Sequence, residues 1–448
     1  MNHFRRRGGV LHAEEVPLDA LAGRFGTPVY VYSTATLTRH WKVLHRSLRG
    51  LRHVVCYAVK ANSNLAVLNL FARLGSGFDI VSGGELYRVI RAGGDPHQVV
   101  FSGVGKRDDE IAFALEVGVR VLNVESASEL ARVSVVARKM GARAPIALRV
   151  NPDVDARTHP YISTGLRQNK FGVSVEEARR LYPIAAADRA LAVKGVACHI
   201  GSQITSVKPF LDAIARVRAL VRELERQAIR IEHIDVGGGL GITYRDEEPP
   251  HPDAYGAAVA RALRAFRGEV YLEPGRVLVG NAGVLLTRVL HVKRHGRKTF
   301  VVVDAAMNDL VRPSYYGAYH SIERVGPPRP GEREIVCDVV GPICESSDFL
   351  ARSRRMPEAR PGDLLCVRSA GAYGFAMSSN YNARPRAAEV LVDGGDALLA
   401  RRRERYPDLV RGEEARPRRE RIARPPSARA GGRRKARRAR VAPRLEIG

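Results

Sequence analysis

Cysteine and tryptophan are scarce in this chain: among 448 residues there are five cysteines and one tryptophan. Cys56, Cys198, Cys337, Cys344 and Cys366 are scattered, odd in number and without the close spacing of zinc ligands. That argues against a disulfide framework and against a metal site, and for a reduced, cytoplasmic protein. No apolar run reaches the length of a bilayer span, so no membrane association is expected. The basic start, Arg5-Arg6-Arg7, leads into Gly8-Gly9 rather than an apolar core and does not read as a secretory signal. Acidic residues are the minority, 47 against 73 Lys and Arg, which leaves a net charge of +26. Aromatics make up only 6% and do not interleave with the arginines as base stacking would require, so no specific nucleic-acid ligand is implied. Much of the excess lies after residue 410, in Arg416, Arg418, Arg419, Arg421 and the cluster Arg433 to Arg440. This stretch reads as a disordered basic tail able to bind polyanions nonspecifically, or as a compositional extension without a role.

What the chain does have is a repeating pattern. Short apolar runs recur at 54–59, 77–81, 98–102, 120–124, 145–150, 195–200, 232–236 and 269–273. Helix-patterned segments such as 111–115 and 210–215 separate them. Strands buried on both faces read as continuous apolar runs, and parallel strands need helical crossovers. Eight such units predict a (β/α)8 barrel. A doubly wound sheet is the alternative, and the absence of G-x-G-x-x-G after the first strand counts against it. Beyond Arg276 the texture changes to β-like runs at 277–279, 283–290, 298–304, 334–340, 363–367 and 387–392, divided by Gly and Pro turns. The expected fold is α/β plus all-β: a TIM-like barrel over 35–276, then a β-sandwich or barrel domain over 277–410. Segment 1–34, with its β-prone run Pro28 to Tyr32, is expected to join the β domain, and 411–448 is the tail.

Barrel chemistry gathers where strands end. Here those ends carry Lys60, Asp79 with Ser82-Gly83-Gly84, Ser102, Glu125, Arg149 with Asn151, His199, Gly237-Gly238-Gly239 and Glu273-Pro274-Gly275-Arg276. Each has an ordinary structural role open to it: a strand-capping lysine, a satisfied core histidine, a glycine turn, a surface ion pair. Their convergence on one barrel end argues against all of these holding at once. Partial desolvation would lower the pKa of Lys60 and free its amine as a nucleophile. Three glycines let backbone N–H groups approach an oxyanion as a nest, and barrels commonly hold phosphate beside strands seven and eight. An amine nucleophile with a phosphate site points to pyridoxal 5'-phosphate, bound through a Schiff base to Lys60. Glu273 would hold a proton on the ring nitrogen, and His199 would stack on the ring.

The chain resembles the group IV decarboxylases of the alanine-racemase-like pyridoxal phosphate fold, and within them the branch acting on diaminopimelate. The resemblance spans roughly residues 10–410. It is carried by Tyr-Ala-Val-Lys-Ala-Asn at 57–62, Phe-Asp-Ile-Val-Ser-Gly-Gly-Glu-Leu at 78–86, His-Ile-Gly-Ser-Gln at 199–203, the triple glycine and Glu-Pro-Gly-Arg at 273–276. In the second half it adds the run Arg312 to His320, Gly-Pro-Ile-Cys-Glu-Ser-Ser-Asp at 341–348 and Gly-Ala-Tyr-Gly at 371–374. Ser314 stands where that run often has Ala. The resemblance implies decarboxylation of meso-2,6-diaminopimelate to L-lysine and CO2 by a homodimer with shared active sites. The implied cofactor residues are Lys60, Asp79, His199, Ser202, Gly237, Gly238, Gly239, Glu273, Gly275, Arg276 and Tyr373. Arg276, Arg312, Tyr316, Glu345 and Tyr373 would bind substrate, and Cys344, reaching in from the partner, would reprotonate Cα. The ordinary alternative for Cys344 is a buried structural thiol.

Diaminopimelate bears an amino-acid group at each end, so the end away from the reaction must be recognised. A bidentate arginine suits its carboxylate, and a carboxylate such as Glu345 suits its ammonium. Ornithine has no distal carboxylate, which makes Arg312 the discriminating residue. The competing readings are a relative acting on another amino acid or a carboxylated polyamine precursor, a catalytically silent pyridoxal phosphate binder, and a polyanion-binding protein driven by the tail.

Overall fold

A computed structural model describes residues Asn2–Asp155 and Lys170–Pro417. The described residues up to Leu409 form one compact unit, and those from Val410 to Pro417 fall outside it. The basic run from Arg418 onward lies outside the described residues.

Eight parallel strands close into a barrel: His53–Ala58, Gly77–Ile80, Val99–Phe101, Val121–Val124, Ala144–Asn151, Leu191–Ala197, His233–Asp235 and Glu269–Leu272. The last pairs with the first, Leu272 opposite Val55, so the ring has no free edge. Polar caps start several of the intervening helices. Asn64 accepts from the Ala66 N–H, Ser82 from Glu85, Ser126 from Glu129 and Ser174 from Glu177. Side chains alternate across each strand. Phe78 and Ile80 join the core beneath the helices, so Asp79 between them faces the barrel axis. The same alternation turns Asn123 inward between Leu122 and Val124, and Asp235 inward between Ile234 and Val236. A small apolar cluster of Cys56, Val100, Val121, Ala147 and Tyr271 fills more of the interior. The barrel therefore carries buried polar groups toward the ends of its strands.

The second sheet has nine strands. Val29–Ser33 lies inside it, antiparallel to Gly283–His295 and parallel to Ala388–Asp393. An N-terminal strand and the C-terminal half thus share one sheet. Three stretches depart from the sequence pattern. Val277 to Val279, apolar and β-branched, is not a strand but part of the short helix Arg276–Val279. The Pro274-Gly275 turn precedes that helix, Leu278 N–H bonds Gly275 C=O at 3.0 Å, and the short helix packs on the helix Thr34–Ser47; local preference yields to tertiary context. Phe349–Pro357, rich in arginine, and Asp396–Arg401, whose apolar stretch is only Ala397 to Ala400, are strands outside the runs read from the sequence. They end the main strand path on its two sides, and the arginines of Phe349–Pro357 suit a solvent-facing edge.

The two halves are stitched beside Lys60. Tyr373 N–H donates to Ala61 C=O at 2.8 Å, and Asn62 Nδ2 donates to Gly371 C=O at 3.2 Å. Gly371 sits so close to its neighbours that a Cβ there would lie 2.0 Å from the Val279 carbonyl oxygen. Overpacking of this kind costs about 1–3 kcal/mol. Gly371→Ala is therefore expected to lower the melting temperature by several degrees, whereas Gly105→Ala, with nothing within 4 Å, leaves it unchanged; thermal unfolding checks both.

Candidate active site

Lys60 follows the first barrel strand on a single 3-10 turn, Val59–Ala61. Its motif explains its own geometry. Tyr57 Oη donates to Asn62 C=O at 2.9 Å, Asn62 Oδ1 accepts from the Asn64 N–H at 3.0 Å, and Asn64 caps the next helix. The turn is thus fixed from both sides, and the Lys60 side chain projects into a pocket with about a third of its surface open. Its Nζ lies 2.6 Å from Asp79 Oδ2, and Asp79 is fully buried. Asp79 Oδ1 has no hydrogen-bond partner among the described residues.

The charge state of Lys60 differs from the sequence expectation. Burial alone would lower its pKa, but the Asp79 carboxylate beside it outweighs burial and holds it above the usual lysine range. The amine is stored as an ammonium. Behind it lies an acid cluster. Glu273 is pushed well up by burial, then by the charges of Asp235 and Asp79. Burial also pushes Asp235 up, to about 6. A hydrogen bond between the two favours the proton on Glu273 and the charge on Asp235. Asp235 Oδ1 also accepts the Gly237 N–H at 2.8 Å, which further favours its ionised form. Ser102 Oγ donates to Glu273 Oε1 at 3.3 Å, and Asn123 Nδ2 donates to Ser102 Oγ at 3.1 Å.

His199 closes another side. Its Nδ1 accepts the Gly238 N–H at 3.1 Å, so a neutral ring carries its proton on Nε2. Burial, with the nearby charges of Arg149 and Lys60, holds the imidazole neutral. The triple glycine is demanded by close packing. A Cβ on Gly238 would lie 2.0 Å from the Glu273 carbonyl oxygen, and one on Gly239 2.3 Å from that of Gly201, with φ at +112°. Two of the three N–H groups are committed to Asp235 and His199, so the nest expected from all three is narrower than the sequence implied.

Arg276 and Arg312 share the same pocket with Lys60, His199, Ser202, Tyr316 and Tyr373. Arg276 Nη1 donates to Tyr244 Oη at 2.7 Å and Nη2 to Ser202 Oγ at 3.0 Å. Its guanidinium lies 4.9 Å from the Tyr373 ring centre, and that of Arg312 lies 4.6 Å from the Tyr244 ring. Neither arginine has a carboxylate partner among the described residues, so the surface Glu273–Arg276 ion pair does not form. Tyr373 holds a left-handed backbone, φ +56°, that places its ring there. Gly275 packs its Cα side against Ala58 and Ala61 and caps the Arg276 helix.

Cys344 and Glu345 are not brought to this pocket. Both are exposed. Cys344 N–H donates to Asn382 Oδ1 at 2.9 Å, and Glu345 Oε2 accepts from Tyr381 Oη at 2.9 Å. The other four cysteines are buried, so Cys344 does not fit the structural-thiol alternative. Ser314 Oγ donates to Ser347 C=O at 2.6 Å, linking the Arg312 helix to the Cys344 loop. Glu125 and Arg149, marked by their strand ends, pair with each other at 3.0 Å and do not line the pocket. Sequence reasoning missed Tyr244, Gln203, Glu247 and Tyr319 in the pocket lining, and Asn123 and Asp235 behind it. Asp235 was signalled by its place two residues before the glycines; Tyr244, in a loop without a motif, was not.

Residues 34–280 match the family described as pyridoxal-dependent decarboxylase, pyridoxal binding domain. The diaminopimelate decarboxylase of Pseudomonas aeruginosa is 55% identical over 417 residues, covering 93% of this chain and 100% of that one. The Vibrio cholerae enzyme of the same name is 54% identical over 91% of this chain and 98% of its own length. Among solved structures, diaminopimelate decarboxylase from M. jannaschii in complex with L-lysine superposes with a TM-score of 0.88 at 37% identity, covering 93% of this chain and 99% of that one. The Helicobacter pylori enzyme, also with L-lysine, gives 0.85 at 40% identity, covering 88% and 98%. With an amine on an acid cluster at the barrel end and two uncompensated arginines beside it, the chain belongs to the diaminopimelate decarboxylase family of pyridoxal-dependent decarboxylases.

Proposed function

We propose that the chain decarboxylates meso-2,6-diaminopimelate to L-lysine and CO2. The carrying observation is the pair Arg276 and Arg312, two guanidiniums with no carboxylate partner among the described residues, in the pocket that holds Lys60. Their charge awaits an anion, which the distal carboxylate of the substrate supplies. L-Lysine, the expected product, keeps that carboxylate, and it is the ligand named for two of the related structures.

The enzyme is pyridoxal phosphate-dependent, and the residues fit that group. Its aldehyde needs an amine, which is Lys60; its ring nitrogen needs a buried acid, which is Glu273; its ring needs a flat neutral face, which is His199. Ser202, Gly237, Gly238, Gly239, Gly275, Arg276 and Tyr373 would hold the phosphate side. When bound, the group supplies an electron sink for the bond between Cα and the departing carboxylate. Asp79 keeps Lys60 protonated and fixed until it is displaced toward reaction. Glu273, sharing a proton with Asp235, holds that proton at the ring nitrogen. Arg276, Arg312 and Tyr316 bind the distal carboxylate. Loss of CO2 leaves an electron pair on Cα, and the partner subunit's Cys344 supplies a proton from Sγ while the partner subunit's Glu345 receives the distal ammonium. The exposed positions of Cys344 and Glu345, outside their own pocket, support a homodimer with shared sites; free thiols throughout fit a cytoplasmic enzyme.

Purified protein supplied with pyridoxal phosphate should release CO2 from meso-diaminopimelate and not from L-lysine, L-ornithine or L-arginine; preference for ornithine would discard the substrate. In the same assay Arg312→Lys should raise KM by about 10–100-fold, the loss of a charge-assisted bidentate contact, with a smaller change in kcat. Removing the Asp79 charge should lower the pKa of Lys60, because burial would then act with less opposition. Asp79→Asn is expected to speed acylation of Lys60 at fixed pH in cofactor-free protein, read by mass spectrometry, and an unchanged rate would show that Asp79 does not hold the amine charged. Mixing inactive Lys60→Ala and Cys344→Ala chains should restore about a quarter of wild-type turnover, because half the dimers then carry one intact site. No recovery would place both residues in one subunit's site.

A further inference from the structure

His320 is fully buried beside Arg312 and has both ring nitrogens engaged. Nδ1 lies 2.8 Å from the Arg368 carbonyl oxygen, an atom that only accepts, so Nδ1 carries the hydrogen. Nε2 lies 2.9 Å from Arg312 Nη1, which only donates, so Nε2 is the acceptor. The two neighbours fix one neutral tautomer between them. Burial, and then the charge of Arg312, pushes the ring down to about 3, so it stays neutral at working pH. Its own carbonyl is held by Arg354 Nη1 at 2.7 Å, and its edge packs on Tyr244 with ring centres 5.3 Å apart. Tyr244 is the ring that Arg312 faces and the hydroxyl that Arg276 bonds.

An aspartate or glutamate in this position would orient Arg312 equally well, but it would cancel the guanidinium's charge and repel an incoming carboxylate. A neutral acceptor orients the arginine and leaves its charge uncompensated. We infer that His320 is a positioning residue that aims Arg312 at the distal carboxylate of the substrate and thereby sets the preference for ligands bearing that group. This rests on the reading of Arg312 as the carboxylate receptor.

The test is equilibrium binding to the pyridoxal phosphate-loaded protein, followed by cofactor absorbance. L-Lysine is compared with 1,5-diaminopentane, the same chain without the carboxylate. His320→Asn keeps a donor near Arg368 C=O but has no acceptor within reach of Arg312. His320→Gln places an acceptor where Nε2 was. The Asn variant should bind L-lysine about tenfold more weakly with diaminopentane unchanged, and the Gln variant should recover most of the loss. Retention of the lysine preference by the Asn variant overturns the proposal, as does equal weakening of both ligands by both variants, which marks a merely structural role. A wild-type protein that does not prefer L-lysine overturns the carboxylate-receptor reading itself, and the inference falls with it.

Discussion

The ion pair between Lys60 and Asp79 is the constraint on which the site depends. Removing two charges from water is costly, and the cost is met only where geometry is close and remaining polar atoms are served. Here the contact is 2.6 Å and the barrel interior supplies the rest. Asp79, Asn123, Asp235 and Glu273 face one another because strand alternation turns each inward while its flanking residues feed the outer core. Three acids around one amine cannot all ionise. The network answers by storing a proton on the Glu273–Asp235 pair, bridged through Ser102 and Asn123. The barrel end thus pairs a charged amine with a protonated buried acid, the reverse of the free-amine picture that position alone implies.

The second constraint is a pair of like charges. Arg276 stands close enough to Arg312 that its charge helps lower the pKa of Arg312 after burial, yet no carboxylate neutralises either among the described residues. Aromatic faces and neutral acceptors take that place: Tyr244 and Tyr373 beside the guanidinium planes, Ser202 and Tyr244 hydroxyls on the N–H groups. Cation–π contacts stabilise a charge without cancelling it. The result is a pocket with a positive field at one side and an amine at another, which is the electrostatic outline of a substrate with two ionic ends.

The barrel was legible because eight buried runs with helical spacers fit few folds besides a closed parallel ring, and because its strand ends concentrated reactive side chains. Lys60, His199, Ser202, Arg276, Arg312, Tyr316 and Tyr373 do meet in one pocket. Edge strands such as Phe349–Pro357 were illegible because only one face needs to be apolar and the other carries arginines. Val277 to Val279 misled for the opposite reason, an apolar run placed by its neighbours in a helix. Tyr244 has no signature at all; it reaches the pocket from a loop whose path only tertiary structure defines. Charge state was the least accessible property, since the rise of Lys60 comes chiefly from Asp79, apart in sequence and adjacent in space.

The tether between Ala61 and Tyr373 has a consequence of its own. Lys60 sits on a turn fastened on one side to a barrel strand and on the other to the second sheet through Gly371 and Tyr373. Anything held at Lys60 and contacted by Tyr373 is bound only while the barrel and sheet stay joined, so occupancy is linked to folding. By mass action, a group present at a hundredfold excess over its Kd adds about 2.7 kcal/mol to the folded state. Cofactor supply would then bear on how much of the chain is folded as well as on how fast it turns over.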